Sequence, residues 1–284
     1  FKEEKFPADR MPFDSHFKLL FAVLSHFSVH GVSVELSYES PPQSGLGGSG
    51  TLAVTTIAAL EEACVSRGRP RMSREGIVEL AHNIEDGLRF SYTGMQDQCA
   101  AVYGGVNRWV WTYNSNSERA PFIREEILGT DGYPELESRL LLAYLGKSHI
   151  SSEVNEMQVR SFLEGRSRKV WFRINEIAIE FAEAVKTHDW ERAASLVSEE
   201  NRLRYEMVPK RLTSMAVRLM EVAEDMGAGF AAAGAGGGGC VWALCPDPSE
   251  VNRLKHEWEG ILKEAEGAGL LDVRIDGSGL SVQR

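Results

Sequence analysis

The sequence predicts an α+β protein, and three observations carry that prediction. Residues 32–38 alternate apolar and polar side chains as a half-buried strand does, and a glycine-rich loop and an apolar helical run follow them. Residues 153–226 show helical periodicity almost throughout. Two short apolar runs, residues 140–145 and 240–245, flank that helical region and have the length of buried strands. We therefore expect a bundle of helices packed on a sheet.

Composition is typical of a globular protein and argues against several classes of partner. The 284 residues are 43% hydrophobic and 25% charged, and this length suits one large domain or two smaller ones. The formal net charge of −10 would repel nucleic-acid backbones and acidic membranes, so we expect neither as a partner. We find no signal peptide and no apolar stretch long enough to span a bilayer, which predicts a cytoplasmic protein.

The four cysteines predict neither a zinc site nor a redox motif. They contain no C-x-x-C pair and have no histidines at zinc-ligand spacing. We expect buried free thiols, which fits a reducing compartment. The residues are Cys64, Cys99, Cys240 and Cys245.

Residues 41–50, Pro-Pro-Gln-Ser-Gly-Leu-Gly-Gly-Ser-Gly, predict an anion site. Four glycines in six positions let backbone N–H groups approach a ligand, and the start of the next helix adds unsatisfied donors and a positive dipole end. Phosphate is the expected ligand, although the loop has neither the Gly-Lys-Ser/Thr ending nor the G-x-G-x-x-G spacing of the two commonest phosphate loops. A tight turn without a ligand is the alternative. Ser49 could cap the helix or ligate a magnesium ion on the phosphates.

Helices are predicted on both sides of this region. Asp14 and Ser15 can cap a helix that ends near Gly31, and another begins near Ser73 with its apolar stripe on one face. Glu85 falls off that stripe, so its position alone predicts a solvated side chain.

Residues 94–107 place one carboxylate, Asp97, in a segment bounded by glycines. Asp97 could cap a helix or serve as a general base held at a rigid junction. A strand is predicted over residues 106–113 and a polar surface loop over residues 112–132.

The C-terminal half contains two further segments that suit ligand binding. Residues 146–153 are rich in hydrogen-bond donors and could hold a phosphate or a sugar, or could simply cap a helix at Ser151 or Ser152. The glycines of residues 234–239 run directly into a strand, which predicts a backbone that approaches a ligand or another segment. Ser249 opens the last predicted helix, and residues 273–282 read as a strand pair.

Three blocks in this order resemble the GHMP kinase family. Residues 42–50 are similar to its ATP-binding motif P-x-x-x-G-L-G-S-S-A, with Gly48 and Gly50 in place of the usual Ser and Ala, and residues 234–239 resemble its third motif. Residues 94–107 look like the kinases that act on heptose 7-phosphate, with Cys99 where their Q-D-Q-Y-A-A pattern has Tyr. His149 stands where their sugar-proximal segment commonly has Arg.

The resemblance implies a two-lobed α+β fold with ATP between the lobes. The N-terminal, ATP-binding lobe, similar to domain 2 of ribosomal protein S5, would cover residues 1–135, and a ferredoxin-like C-terminal lobe residues 136–284. The family's first motif, R-x-D-L-x-G-G-x-T-D, is absent from the sequence, so the N-terminal strands that carry it are expected to be missing. Either that part precedes Phe1 in a longer protein, or the protein lacks it.

The resemblance also implies residue roles, with ATP and Mg²⁺ as cofactors. Asp97 matches the catalytic aspartate, and Ser49 and Glu85 match the metal ligands. The expected ATP-binding residues are Gly45, Leu46, Gly47, Gly48, Ser49 and Gly50. The expected substrate-binding residues are Gln98, Gly104, Gly105, Lys147, Ser148, Ser152, Gly236 and Gly237.

The acceptor stays open at this point. The resemblance favours phosphorylation of the anomeric hydroxyl of heptose 7-phosphate, while galactose, fucose, another sugar phosphate or mevalonate would keep the same chemistry. A catalytically silent protein that senses a sugar or a nucleotide is the alternative from another class. A homodimer is left open.

Overall fold

The structure is a computed structural model that describes residues 15–41, 43–88, 94–112, 121–146 and 151–283, with the backbone alone for 151–153. The predictions for Pro42, Lys147, Ser148 and His149 concern residues outside the described ranges. Among the helices described, none is long and apolar enough to cross a membrane.

The first part of the chain is a helical layer followed by a two-stranded ribbon. Its helices are α1 (Lys18–His26), α2 (Gly48–Val65), α3 (Arg74–Gly87) and α4 (Gln96–Tyr103), and its antiparallel strands are β1 (Val106–Trp111) and β2 (Phe122–Leu128). The four helices share one core, in which Val54, Val78 and Val102 are fully buried. Helix α3 begins beside Ser73 as predicted, and Ser73 caps it, because its hydroxyl accepts a hydrogen bond from the N–H of Gly76 at 3.0 Å.

The second part contains a four-stranded antiparallel sheet. After the short helix α5 (Tyr133–Glu137), the elements are β3 (Leu140–Leu145), α6 (Ser151–Leu163), α7 (Arg168–Lys186), α8 (Trp190–Met207), α9 (Ser214–Asp225), β4 (Gly229–Ala232), β5 (Cys240–Leu244), α10 (Val251–Leu262) and β6 (Ala268–Leu271). The strand order β4-β5-β3-β6, with helices between β3 and β4 and between β5 and β6, is the ferredoxin-like arrangement. The predicted α+β class and ferredoxin-like lobe are confirmed. The predicted lobe boundary after residue 135 falls inside α5 and stays a prediction.

Helices cover both faces of this sheet because alternate strand residues point to opposite sides. Leu141, Ala143 and Phe230 belong to a core with α9 and α10. Ala231 and Leu244 belong to a second core with α7 and α8. Cys240 and Cys245 are buried in the sheet region, and all four cysteines are free and buried as expected.

Three sequence-based assignments are wrong. Residues 32–38 form no strand, and Val32, Val34 and Tyr38 are exposed, because no other described strand lies alongside to pair with them. The predicted loop over residues 112–132 contains β2, whose charged centre hides its alternation. The predicted strand pair over residues 273–282 is irregular, and only a turn remains in which the carboxylate of Asp276 accepts from the N–H of Ser278 at 2.8 Å.

Candidate functional site

Two glycine loops meet at the centre of the candidate site. We call residues 43–47, which precede α2, the first loop. Residues 233–239, which join β4 to β5, contain the segment that resembles the family's third motif, and we call them the third loop. The N–H of Cys240 donates to the carbonyl of Ser44 at 2.7 Å. A side-chain carbon on Gly45 would lie 2.9 Å from the carbonyl oxygen of Ala233, and one on Gly239 would overlap the carbonyl of Ser44. The glycines therefore allow backbone to pack directly on backbone.

The start of α2 presents unused backbone donors. The helix begins at Gly48, inside the predicted glycine loop of residues 41–50, and its N-cap is Gly47 in the left-handed region (φ +72°), with no side-chain cap. Ser49 lies in the first turn and is exposed, so the expectation that it caps the helix is wrong. The first-turn N–H groups of a helix without a side-chain cap are available to an anion, and the helix dipole favours negative charge there.

Asp97 lies against this loop. It occupies the first turn of α4, whose N-cap is Met95, so Asp97 does not cap the helix. A side-chain carbon on Gly47 would be 3.1 Å from both Cβ and Cγ of Asp97, and one on Gly50 would be 3.0 Å from Cβ of Asp97. Gly47 and Gly50 thus leave room for the aspartate at the mouth of the loop.

Glu85 lies behind Asp97 and is buried, contrary to the expectation of a solvated side chain. Only 2% of Glu85 is exposed, and its carboxylate accepts a hydrogen bond from the side-chain amide of Gln98, which is 1% exposed. The buried face of α3 runs through Val78, Ala81 and Glu85, and α3 packs on both α2 and α4. Helices on two sides therefore bury a position that lies beside the apolar stripe.

Two effects raise the pKa of Asp97. Burial, which penalises the charged form, is the larger, and the negative charge of Glu85 adds to it. Among the described residues, no lysine or arginine forms an ion pair with Asp97 or Glu85. Two carboxylates without a cationic partner constitute a local negative site within an acidic protein.

This donor set suits a magnesium ion. Mg²⁺ prefers oxygen ligands and is commonly held by one or two carboxylates together with phosphate oxygens. Glu85 supplies a buried carboxylate, Ser49 an exposed hydroxyl, and the side-chain oxygen of Gln98 is buried without a hydrogen-bond partner among the described residues. In the part of the chain that the structure describes, no group of three or more His, Cys, Asp or Glu side chains could hold a metal by itself. A metal ion here would therefore also need oxygen atoms from a bound phosphate compound.

The first turn of α6 approaches the third loop. Val154, in the first turn of α6, shares a small buried cluster with Ala235. Ser152 therefore lies on a helix turn near the third loop. Gly236 and Gly237 lie in that loop, where the N–H of Gly237 donates to the carbonyl of Arg211 at 2.5 Å. Sequence reasoning missed Arg211, because nothing in one sequence distinguishes it from a solvated arginine between two helices.

Gly104 and Gly105 do not join this group. They follow α4, about 10 Å along the helix axis from Asp97. The N–H of Gly105 donates to the carbonyl of Asp276 at 2.7 Å, and a side-chain carbon on Gly104 would lie 2.5 Å from that same oxygen. Packing against the C-terminal segment accounts for both glycines, and their role in substrate binding stays a prediction.

Comparison with known proteins identifies two matching family models. The model for the GHMP kinases N terminal domain matches residues 15–105, and the model for GHMP kinases C terminal matches residues 181–264. Together the two matches cover more than half of the chain, and the first includes the glycine loop, Glu85 and Asp97.

Individual relatives share the similarity at low identity. The bifunctional fucokinase/GDP-fucose pyrophosphorylase of Arabidopsis thaliana is 27% identical over 81% of this chain and 21% of its own length. The D-glycero-alpha-D-manno-heptose 7-phosphate kinase of Campylobacter jejuni is 27% identical over 81% of this chain and 64% of its own length. The chain thus spans less than two thirds of both relatives. The structure of Streptococcus pneumoniae phosphomevalonate kinase with phosphomevalonate and AMPPNP superposes with a TM-score of 0.68 at 15% identity, covering 90% of this chain and 81% of that one.

Proposed function

Because this chain belongs to the GHMP kinase family, we propose that it transfers the γ-phosphoryl group of ATP to a hydroxyl group of a sugar or sugar phosphate. The observation that carries the proposal is the position of Asp97, a half-buried carboxylate packed on Gly47 and Gly50 at the mouth of a glycine loop. Phosphoryl transfer asks a protein mainly to position its substrates and to neutralise charge. The candidate site contains groups for both tasks.

We assign phosphate binding to the first loop and the start of α2. The residues are Gly45, Leu46, Gly47, Gly48, Ser49 and Gly50, whose N–H groups would donate to the β- and γ-phosphates. The third loop holds the first loop in place through the bond from Cys240 to Ser44. Gly236 and Gly237 would face the acceptor.

Asp97 would accept the proton of the attacking hydroxyl or orient that hydroxyl. Its raised pKa makes the ionised carboxylate a stronger base than an ordinary aspartate. Gln98 and Glu85 hold the start of α4 through their buried hydrogen bond, and this bond fixes the helix turn that carries Asp97.

Ser49 and Glu85 are the residues we assign to a magnesium ion. When bound, Mg²⁺ supplies charge neutralisation at the phosphate oxygens during transfer. The hydrogen bond from Gln98, which is itself buried, holds the Glu85 carboxylate in position for that role.

For the acceptor, we propose the anomeric hydroxyl of heptose 7-phosphate. The pattern of residues 94–101 and the relative from Campylobacter jejuni support this assignment. Fucose is the second candidate, favoured by the fucokinase relative at the same 27% identity. A silent sensor has little support, since such a protein would have no chemical need for the set formed by Asp97, Glu85 and Ser49.

The test is a coupled ADP-release assay with Mg-ATP and a panel of heptose 7-phosphate, fucose, galactose, mannose and mevalonate. Turnover on heptose 7-phosphate alone is the expected result. Turnover on a different acceptor alone would support the proposed kinase activity and contradict the assignment of heptose 7-phosphate. Binding of Mg-ATP without turnover on any acceptor would overturn the proposed activity.

A further inference from the structure

Arg211 is a buried arginine that forms no ion pair among the described residues. It ends the short 3₁₀ turn Pro209–Arg211 between α8 and α9, and only 2% of it is exposed. No described aspartate or glutamate forms an ion pair with it. A buried charge is costly unless other groups compensate it, so this placement needs an explanation.

The guanidinium binds carbonyl groups of the third loop. Its two terminal nitrogens donate to the carbonyls of Ala235 at 3.0 Å, Gly234 at 3.1 Å and Ala232 at 3.3 Å. The carbonyl of Arg211 itself accepts from the N–H of Gly237. A side-chain carbon on Gly236 would overlap Arg211, and Gly236 has φ +86°, so glycine is required there. One residue thus sets the path of four consecutive loop positions.

This arrangement determines where the loop's N–H groups point. In a trans peptide the C=O and N–H of one unit point in opposite directions, and no described peptide bond is cis. Because the carbonyls of Gly234 and Ala235 point at Arg211, the N–H groups of Ala235 and Gly236 point away from it. Neither N–H donates a backbone hydrogen bond within the described part of the chain.

Successive N–H groups that point the same way form an anion-binding concavity. That concavity lies on the face of the loop away from Arg211, whose guanidinium holds the loop from the other side. Nε of Arg211 is buried without a partner among the described residues. Burial lowers the pKa of Arg211 to about 10, the positive charge of Arg204 adds to that decrease, and the negative charge of Glu200 opposes it.

We propose that Arg211 is a positioning residue that turns the peptide units of the third loop so that the N–H groups of Ala235 and Gly236 bind a phosphate group of a substrate. The inference rests on the proposed kinase function for the identity of that substrate. The phosphate could belong to the nucleotide or to a sugar phosphate acceptor, and the shared chemistry is a phosphate dianion.

The test uses amide NMR of the full chain. We expect inorganic phosphate to shift the Ala235 and Gly236 resonances of the wild type in a saturable manner. Arg211→Gln should weaken phosphate binding by about tenfold or more, since it loses both the forked N–H donors of the guanidinium and its charge. Arg211→Lys keeps the charge alone, so its affinity should lie between those of the wild type and Arg211→Gln. Titrations with Mg-AMPPNP alone and with heptose 7-phosphate alone then show which phosphate occupies the site.

Arg139→Gln is the matched control. Arg139 is also largely buried and also donates to a carbonyl, that of Pro246, but at the other end of β5. It should lower stability without changing phosphate binding. If phosphate fails to shift Ala235 and Gly236 in the wild type, or shifts them equally in folded Arg211→Lys and Arg211→Gln, the inference is wrong. Because this readout needs no turnover, a silent acceptor panel would contradict the kinase proposal and leave this result standing.

Discussion

The N–H of Cys240 donates to the carbonyl of Ser44 across 2.7 Å, which joins two glycine loops that lie almost two hundred residues apart in the chain. One loop precedes α2 in the first part of the fold, and the other joins two strands of the C-terminal sheet. The candidate site therefore depends on a contact between the two parts, and the following predictions test it from both sides.

Replacing Asp97 should remove catalysis and spare nucleotide binding. Asp97→Asn keeps the size of the side chain but removes the base, so we expect kcat to fall by about 10²–10⁴. The dissociation constant for Mg-ADP, measured by calorimetry, should change less than threefold. Asp86→Asn is the matched control, because Asp86 is exposed on α3. An Asp97→Asn protein that keeps wild-type turnover would contradict the assigned role.

The same substitution should stabilise the ligand-free protein at neutral pH. The pKa of Asp97 is raised in the folded state, so its ionisation is less favourable there than in the unfolded chain, and stability falls as pH rises through the folded pKa. Asp97→Asn should raise Tm at pH 8, measured by thermal unfolding, because it removes the cost of holding a charged carboxylate in a buried position. The gain should vanish below the unfolded pKa, where Asp97 is protonated in both states. An equal gain at pH 3.5 and pH 8 would exclude this explanation.

Removing the Glu85 carboxylate should affect stability and magnesium use together. Glu85→Ala leaves the buried amide of Gln98 without its acceptor, so unfolding by urea should show a loss of about 1–3 kcal/mol. Glu85→Gln keeps an oxygen that can accept this bond and should lose less. Both variants should need more Mg²⁺ for half-maximal activity. Glu79→Gln, on the exposed side of α3, should change neither quantity. A normal Mg²⁺ requirement in folded Glu85→Gln would argue against the metal role.

Forcing the two loops apart should weaken nucleotide binding. Gly239 has φ +72°, and a methyl group there would overlap the carbonyl of Ser44. Gly227 has φ +75° with no atom within 4 Å of a built side-chain carbon, so Gly227→Ala incurs the backbone strain alone, about 1–2 kcal/mol. Gly239→Ala should lower stability further and weaken Mg-ADP binding by about tenfold or more, while Gly227→Ala should stay within twofold. Equal affinities in the two variants would show that the contact does not support the site.

Local sequence signals predicted the parts of the site but not how they meet. The glycines of both loops, the cap of α3 and the apolar run of β3 are encoded within a few residues, and the structure has each of them. The contact between Ser44 and Cys240 depends on the packing of distant elements, so periodicity could indicate only that a loop approaches something.

The burial of Glu85 and Arg211 shows a second limit. The sequence of a single helix predicts one buried face. Helix α3, however, packs on both α2 and α4, and Gln98 of α4 lies against Glu85. Arg211 is buried by the loop whose carbonyls it binds, which no local pattern encodes. The strand predicted over residues 32–38 fails for the opposite reason, since alternation shows that a segment can pair but does not supply its partner.

The irregular segment after β6 packs against the C-terminal end of α4. The carbonyl of Asp276 accepts a hydrogen bond from the N–H of Gly105, and the N–H of Leu280 donates to the carbonyl of Val102 at 3.2 Å. Asp97 lies in the first turn of α4, at the opposite end of that helix. We therefore expect a substitution in this segment to shift α4 and, with it, Asp97, the residue to which we assign proton transfer.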